Sequence, residues 1–280
     1  MITPLTPHPA ALVKTRETKT LVVADLHIGW EIALSEKGIH VPAQASKLLE
    51  KLKILIKAHK PDRLLILGDV KHTVATAELG EWQDVPEFFN ELKKHIGEIQ
   101  IIHGNHDGNL EPLLPEGIRI LPSSGTVIGD AGFFHGHRWP SPVLLKCKTF
   151  VMGHVHPVIV LRDPAGFRIT RQVWVKAKCN PNRLAEILLQ KHGIKIEKTL
   201  HKTLLKHYKV KPKTSQLFIM PSFNEFLGGK PLNEKDAAES EKIVGPILRT
   251  EAVDLENAEV YLLDGTFLGY LSQLEFFGKP

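Results

Sequence analysis

Short apolar runs that stop abruptly at polar, chemically capable residues recur through the first half of the chain. Thr20-Leu21-Val22-Val23-Ala24 runs into Asp25-Leu26-His27, Arg63-Leu64-Leu65-Ile66-Leu67 into Gly68-Asp69, and Glu98-Ile99-Gln100-Ile101-Ile102 into Gly104-Asn105-His106-Asp107. Runs of this length read as buried strands. Between them, Leu48, Leu49, Leu52, Leu55 and Ile56 repeat as on one face of a helix over Ala43 to His59, opened by Pro42, and a second helix is predicted around Val85 to Ile96. From Ile118 the spacing shortens to that of successive strands: Ile118 to Leu121, Thr126 to Ile128, Gly132 to His135, Thr149 to Met152, Val158 to Leu161 and Phe167 to Lys176. Alternating strands and helices followed by closely spaced strands predict an α/β protein in which a second sheet packs on the first.

Asn180-Pro181-Asn182 opens a helix expected to reach about Gln190 and to end at Gly193. Later runs at Gln216 to Met220 and Glu259 to Leu263 read as strands, with a short acidic helix from Asn233 to Glu241 between them. No repeat or linker divides the sequence. Residues 1–280 are therefore read as one domain, with the motif-bearing part at about 20–160 and a basic helical insertion at about 180–213.

Composition adds bounds rather than identity. Apolar residues make up 42% of the 280 positions and charged residues 24%, enough for a sizeable core. The formal charge of +5 and pI near 9.0 favour anionic partners, nucleic acid among them. The segment from Lys176 to Lys213 carries 11 Lys or Arg against only Glu186 and Glu197. Tyr208 is its one aromatic ring, so the competing reading is a solvated lysine-rich surface. Cys147 and Cys179 are expected as free buried thiols, as in a reducing cytoplasm. No apolar stretch suits a membrane span. A cytoplasmic protein is expected.

The chemistry lies at the ends of the apolar runs. Asp25 and His27, two apart at a strand end, can face one point. Alone that pair is a weak signal, but four further motifs follow in order: Gly68-Asp69, Gly104-Asn105-His106-Asp107, His135-Gly136-His137 and Gly153-His154-Val155-His156. Their mixture of oxygen and imidazole donors suits manganese, iron or zinc better than magnesium or calcium alone.

This order of motifs, spanning roughly Leu21 to Pro157, resembles the calcineurin-like metallophosphoesterase superfamily. The resemblance implies a four-layer α/β/β/α sandwich of two mixed sheets. It also implies two divalent metal ions, manganese first, with iron, zinc or nickel as alternatives. By the same resemblance Asp25, His27 and His156 bind one ion, Asn105, His135 and His154 the other, and Asp69 bridges them. His106 takes a catalytic role, reaching the phosphate or protonating the leaving alkoxide, and Asp107 is expected to orient His106 through a hydrogen bond.

One departure narrows the group: where the superfamily usually has Gly-Asp-x-x-Asp, this chain reads Gly68-Asp69-Val70-Lys71-His72. With Ala24-Asp25-Leu26-His27-Ile28-Gly29-Trp30-Glu31, Gly153-His154-Val155-His156-Pro157 and the stretch Met220 to Gly229, this resembles archaeal phosphoesterases related to the PdeM-type bacterial ligase-associated DNA-repair phosphoesterases. Lys71, His72 and His137 are candidates for substrate contact. The alternatives are a surface pair for Lys71 and His72, and for His137 a place behind the ligands. His103 is expected to pack or hydrogen-bond, Trp30 and Glu31 to line the pocket rim or belong to core or surface, and Asn224 to reach the site or merely close a turn.

The function expected is hydrolysis of a phosphoester by metal-bound hydroxide, as a phosphodiesterase or nuclease-like enzyme. The alternatives are a small-molecule phosphodiesterase acting on a cyclic nucleotide and a non-catalytic scaffold. The oligomeric state is open, with a homodimer among the options.

Overall fold

The computed structural model describes residues 2–35, 38–74, 79–163, 165–234 and 245–274. The first sheet contains, in spatial and chain order, β1 (Ile2–Pro4), β2 (Ala11–Lys14), β3 (Lys19–Val23), β4 (Arg63–Ile66), β5 (Glu98–Ile102) and β6 (Arg119–Leu121). Its first two pairings are antiparallel and the remaining three parallel. The second is built from β7 (Thr126–Ile128), β8 (Ala131–Phe134), β9 (Thr149–Met152), β10 (Pro157–Arg162), β11 (Arg168–Cys179), β12 (Gln216–Ile219), β13 (Lys230–Pro231), β14 (Val253–Leu262) and β15 (Phe267–Tyr270). In it β9 lies parallel to both β8 and β12, while β7, β10 and β14 make antiparallel pairings. Both sheets are therefore mixed.

Helices α1 (Trp30–Ser35), α2 (Ala45–His59) and α3 (Leu79–Leu92) follow strands of the first sheet. Helices α4 (Pro181–Lys191), α5 (Leu200–Tyr208) and α6 (Leu271–Leu274) belong with the second. Alternation along each strand sorts the side chains into layers. Leu21, Val23, Leu64, Ile66, Ile99 and Ile101 face outward onto Leu48, Leu52 and Leu55 of α2 and Phe88, Phe89 and Leu92 of α3. Val22, Leu65 and Ile102 face inward and meet Phe133, Val151 and Trp174 of the second sheet. Phe134, Phe150, Met152 and Val175 face the other way, onto Leu184, Leu188 and Leu189 of α4 and Leu204 of α5. Four layers result, α/β/β/α. Strands buried on both faces read as unbroken apolar runs, which is why they stand out in the sequence.

The segment expected as an insertion at about 180–213 is a layer of the sandwich. Helix α4 opens where the Asn180 side chain accepts from Asn182 N and Arg183 N, both at 3.1 Å, with Pro181 at the first helical position. The apolar faces of α4 and α5 are core, while Lys191, Lys195, Lys198, Lys202, Lys206 and Lys209 along this segment stay exposed.

Three other expectations shift. Helix α3 occupies Leu79–Leu92 rather than 85–96 and carries Pro86 inside it, with Glu81 in its first turn. Strands β1 and β2 are absent from the sequence reading; β2 pairs on both sides, and β1, a three-residue edge strand, tolerates Pro4. The acidic helix expected from Asn233 falls, from residue 235 onward, outside the described residues. Asn233 itself is buried, accepting from Val160 N at 2.9 Å and donating to Val160 O at 2.7 Å. Cys147 and Cys179 are free and buried. Among the described residues no helix is long and apolar enough to cross a membrane.

Candidate metal centre

Five loops leave the carboxyl ends of parallel strands at one rim of the sandwich, where side chains of an open α/β sheet converge. The loop after β3 brings Asp25 and His27, that after β4 Asp69, that after β5 Asn105 and His106, and those after β8 and β9 bring His135, His137, His154 and His156. Backbone bonds zip the first two together: Asp25 N to Gly68 O at 3.2 Å, His27 N to Asp69 O at 2.9 Å and Ile28 N to Val70 O at 2.8 Å. The two sheets are tied where His154 N donates to Asp25 Oδ2 at 3.0 Å and the His135 ring donates from Nδ1 to Leu67 O at 2.6 Å.

Asp25, His27, Asp69, His154 and His156 all adopt left-handed backbone, with φ between 44° and 69°. Such residues are uncommon, and strain of this kind gathers at functional sites. Glycines before the candidate ligands have a steric reason. A Cβ on Gly68 would sit 2.5 Å from His135 Nδ1, one on Gly153 2.7 Å from Asp25 Oδ2, and one on Gly104 directly on Asp69 Oδ1.

Donor atoms converge on two points. His135 Nε2 lies 3.1 Å from Asn105 Oδ1, 3.1 Å from His154 Nδ1 and 3.3 Å from Asp69 Oδ2. Asp69 Oδ2 also lies 3.5 Å from His27 Nε2, and His156 Nε2 3.4 Å from Asp25 Oδ1. One carboxylate oxygen thus faces both groups. His27 Nε2 and His156 Nε2 are buried without a hydrogen-bond partner, the condition of a nitrogen whose lone pair awaits a cation. Ligand atoms of Asp25, His27 and His156, and again of Asp69, His135 and His154, lie within 4.8 Å of one another.

Residues 18–211 match the profile of the calcineurin-like phosphoesterase family. The chain belongs to that family. No curated protein matches it in sequence. Among solved structures it is similar to the nuclease MPE of Pseudomonas putida, at 20% identity over 94% of this chain and 98% of that one, with a TM-score of 0.48. It is also similar to Yfce, a phosphoesterase of E. coli, at 19% identity over 51% of this chain and 73% of that one, with a TM-score of 0.33.

The charges around this candidate site favour a cation. Burial opposes a charge on His135, yet Asp69 and Asp25 beside it raise its pKa to about 9. Burial likewise works against the Asp69 carboxylate, but His135, His27 and the His106 N–H hold it well below the usual range. Burial and the charge on His135 push His154 down to about 3. Burial, opposed by Asp69, also keeps His27 neutral. A positive charge at His135 stands among carboxylates where divalent ions would serve the same end, and the lowered pKa values of His27 and His154 leave those rings with free lone pairs. The residues fit two cations.

The structure reassigns several residues around this centre. Asp107 does not touch His106 through its carboxylate: buried at 0% exposure, it accepts from Asp69 N at 2.9 Å, Gly104 N at 2.7 Å and Val70 N at 2.8 Å. It holds two ligand loops in register. Lys71 is not at the surface either, because its side chain is fully buried beside Glu81, 4.0 Å from Oε2, with its ammonium donating to Thr73 O. Its ammonium is turned toward Glu81 and Thr73.

His72 does join the cluster, its Nδ1 3.3 Å from His27 Nδ1, and its carbonyl accepts from His106 Nδ1. The His137 ring lies 5.2 Å from that of His135, its Nδ1 buried without a hydrogen-bond partner, and burial with the His135 charge lowers its pKa to about 4. His103 bonds through its backbone to Leu121. Glu31 is buried and accepts from Gln44 N at 2.8 Å, whereas Trp30 stacks on Phe226, centroids 6.3 Å apart.

Asn224 does more than close a turn. Its side-chain amide donates to Leu26 O at 3.0 Å while its oxygen caps Phe226 N at 3.1 Å, and Phe223 N donates to Ala24 O at 2.7 Å. It arrives there because β12 runs parallel to β9 and ends at the same rim. Glu81, which accepts from His72 N and Thr73 N at 2.9 and 2.7 Å, had no sequence signal: it stands nine residues after His72, in the first turn of a helix and inside no motif.

Proposed function

We propose that this protein is a binuclear metal-dependent phosphodiesterase, nuclease-like in its chemistry. The observation that carries the reading is the single oxygen of Asp69, Oδ2, facing Nε2 of both His27 and His135 in a pocket that favours cations. Asp25, His27 and His156 would hold one ion, Asn105, His135 and His154 the other, with Asp69 between them and manganese the expected metal. Two such ions would supply Lewis acidity toward a phosphate oxygen and lower the pKa of a water.

His106 moves the proton. Its Nδ1 is committed to the carbonyl of His72, which leaves Nε2 to meet the phosphoester and, when protonated, to donate to the leaving alkoxide. The His106 backbone N–H, bonded to Asp69 Oδ1 at 2.9 Å, ties the His106 loop to the carboxylate that would lie between the two ions. The glycine cradle and Asp107 keep all these groups preorganised.

The exposed lysines of α4 and α5 and the charge of +5 favour a polyanionic substrate, so nucleic acid is the first class to test, ahead of a cyclic nucleotide. On the Gly68 to His72 and Gly153 to Pro157 runs, the proposal extends to the archaeal group related to PdeM-type DNA-repair phosphoesterases. With it comes a single domain over residues 1–280, in the cytoplasm.

The test is hydrolysis of bis(p-nitrophenyl) phosphate and p-nitrophenyl phosphate with manganese, for wild type, Asp69→Asn, His106→Ala and His154→Ala. Metal-dependent diester cleavage lost in Asp69→Asn and His154→Ala supports the proposal and leads to DNA, RNA and cyclic nucleotides next. Two bound metals with no turnover on any phosphoester would favour a scaffold of the same fold.

A further inference from the structure

We infer that His72 is a positioning residue of the metal centre, its imidazole accepting the hydrogen bond that fixes His27 as a ligand. This rests on the reading of the centre given above. His27 directs Nε2 into the centre, where it is buried, unpartnered and 3.5 Å from Asp69 Oδ2. A neutral histidine that ligates through Nε2 carries its proton on Nδ1, and that N–H needs an acceptor, ordinarily a carboxylate, a carbonyl or water. Here the atom facing His27 Nδ1 is His72 Nδ1, 3.3 Å away. His72 must then present a lone pair at Nδ1 and keep its own proton on Nε2.

The place of His72 is set by buried groups beneath it. Its N–H lies between Ile28 O at 3.0 Å and Glu81 Oε1 at 2.9 Å, the Thr73 N–H donates to the same Glu81 oxygen, and Lys71 pairs with Glu81 from the other side. Ile28 and Lys71 also form a parallel β-bridge. The residue therefore does two things at once: its ring holds His27 and its carbonyl holds His106 Nδ1. A side-chain substitution removes only the first, so the two are separable.

The experiment is manganese titration calorimetry on metal-free wild type, His72→Leu, His72→Ala and His72→Asn, with histidine-labelled ¹⁵N NMR of the metal-free and zinc-loaded forms. The Leu and Ala variants should lose about 10- to 100-fold in affinity at one site, the usual effect of removing a ligand's outer partner. Their His27 signals should show mixed tautomers. The Asn variant, whose Oδ1 replaces the imidazole Nδ1 as acceptor, should recover most of the affinity and a single tautomer. Leu and Ala variants that bind like wild type with unchanged His27 signals, or an Asn variant as weak as Leu, would overturn the inference. Should the Leu variant not fold, Ala and Asn carry the comparison. A wild type that takes up no metal overturns the centre and this inference together, whereas two sites in wild type and unaltered sites in every variant overturn this inference alone.

Discussion

Replacing Asp107 by Asn separates a loop-bracing carboxylate from a catalytic one. Burial and the charge of Asp69 push the Asp107 pKa up, while the backbone N–H groups of Gly104 and Val70 pull it down. Three N–H donors on two oxygens are best matched by the ionised form, with Oδ2 taking Asp69 N and Gly104 N and Oδ1 taking Val70 N. An asparagine has one acceptor oxygen. In its better orientation it keeps two of these bonds without their charge and turns its NH₂ against the third donor. A hydrogen bond to a charged group contributes about 1.5–3 kcal/mol and an orphaned buried donor costs about 1–3 kcal/mol, so the loss should be about 3–5 kcal/mol.

With a urea slope of about 3 kcal/mol/M, the unfolding midpoint of the metal-free protein should fall by about 1–1.7 M. Metal affinity should fall with it, because the Asp69 and Gly104 loops lose their common anchor. An unchanged midpoint together with a collapse in turnover would refute this reasoning and return Asp107 to a direct role at His106.

Gly104→Ala places a Cβ on Asp69 Oδ1 and should weaken metal binding about tenfold or more, while Gly97→Ala, with nothing within 4 Å, should leave both stability and binding unchanged. A chelating dye in competition reads both. Asn224→Ala removes the cap on Phe226 and leaves Leu26 O without its partner, for a loss of about 2–3 kcal/mol in urea unfolding; a midpoint equal to wild type would show the loop to be held otherwise. His135 has a folded pKa raised from 6.5 to about 9, so its contribution to the metal-free protein is fully present below 6.5 and lost as pH rises through about 9. Urea midpoints should therefore fall between about pH 6 and about pH 10. Metal uptake near pH 8 should release about one proton from this ring, measurable by calorimetry in buffers of different ionisation enthalpy.

Sequence alone determined the strands that end in candidate ligands and the order of those residues. Buried strands are continuous apolar runs, and catalytic loops must interrupt them with polar residues, so Asp25, Asp69, Asn105, His135 and His154 stand at visible boundaries. Glycines before the ligands were equally visible, though their cause, the space taken by His135, Asp69 and Asp25, was not. Only the tertiary structure decided what the intervening residues do. Asp107 and Lys71 both look like chemistry in a motif, yet the first spends its oxygens on three backbone N–H groups and the second is sealed against Glu81. Glu81 comes back to His72 and Thr73 from the helix that follows them, while Asn224 reaches the site from a parallel strand whose end is fixed by sheet pairing, a long-range contact that no local pattern encodes. The basic segment was legible as helix and charge. That its apolar face closes the fourth layer depended on Leu184, Leu188 and Leu204 meeting the outer face of the second sheet, a match of surfaces that exists only once both have folded.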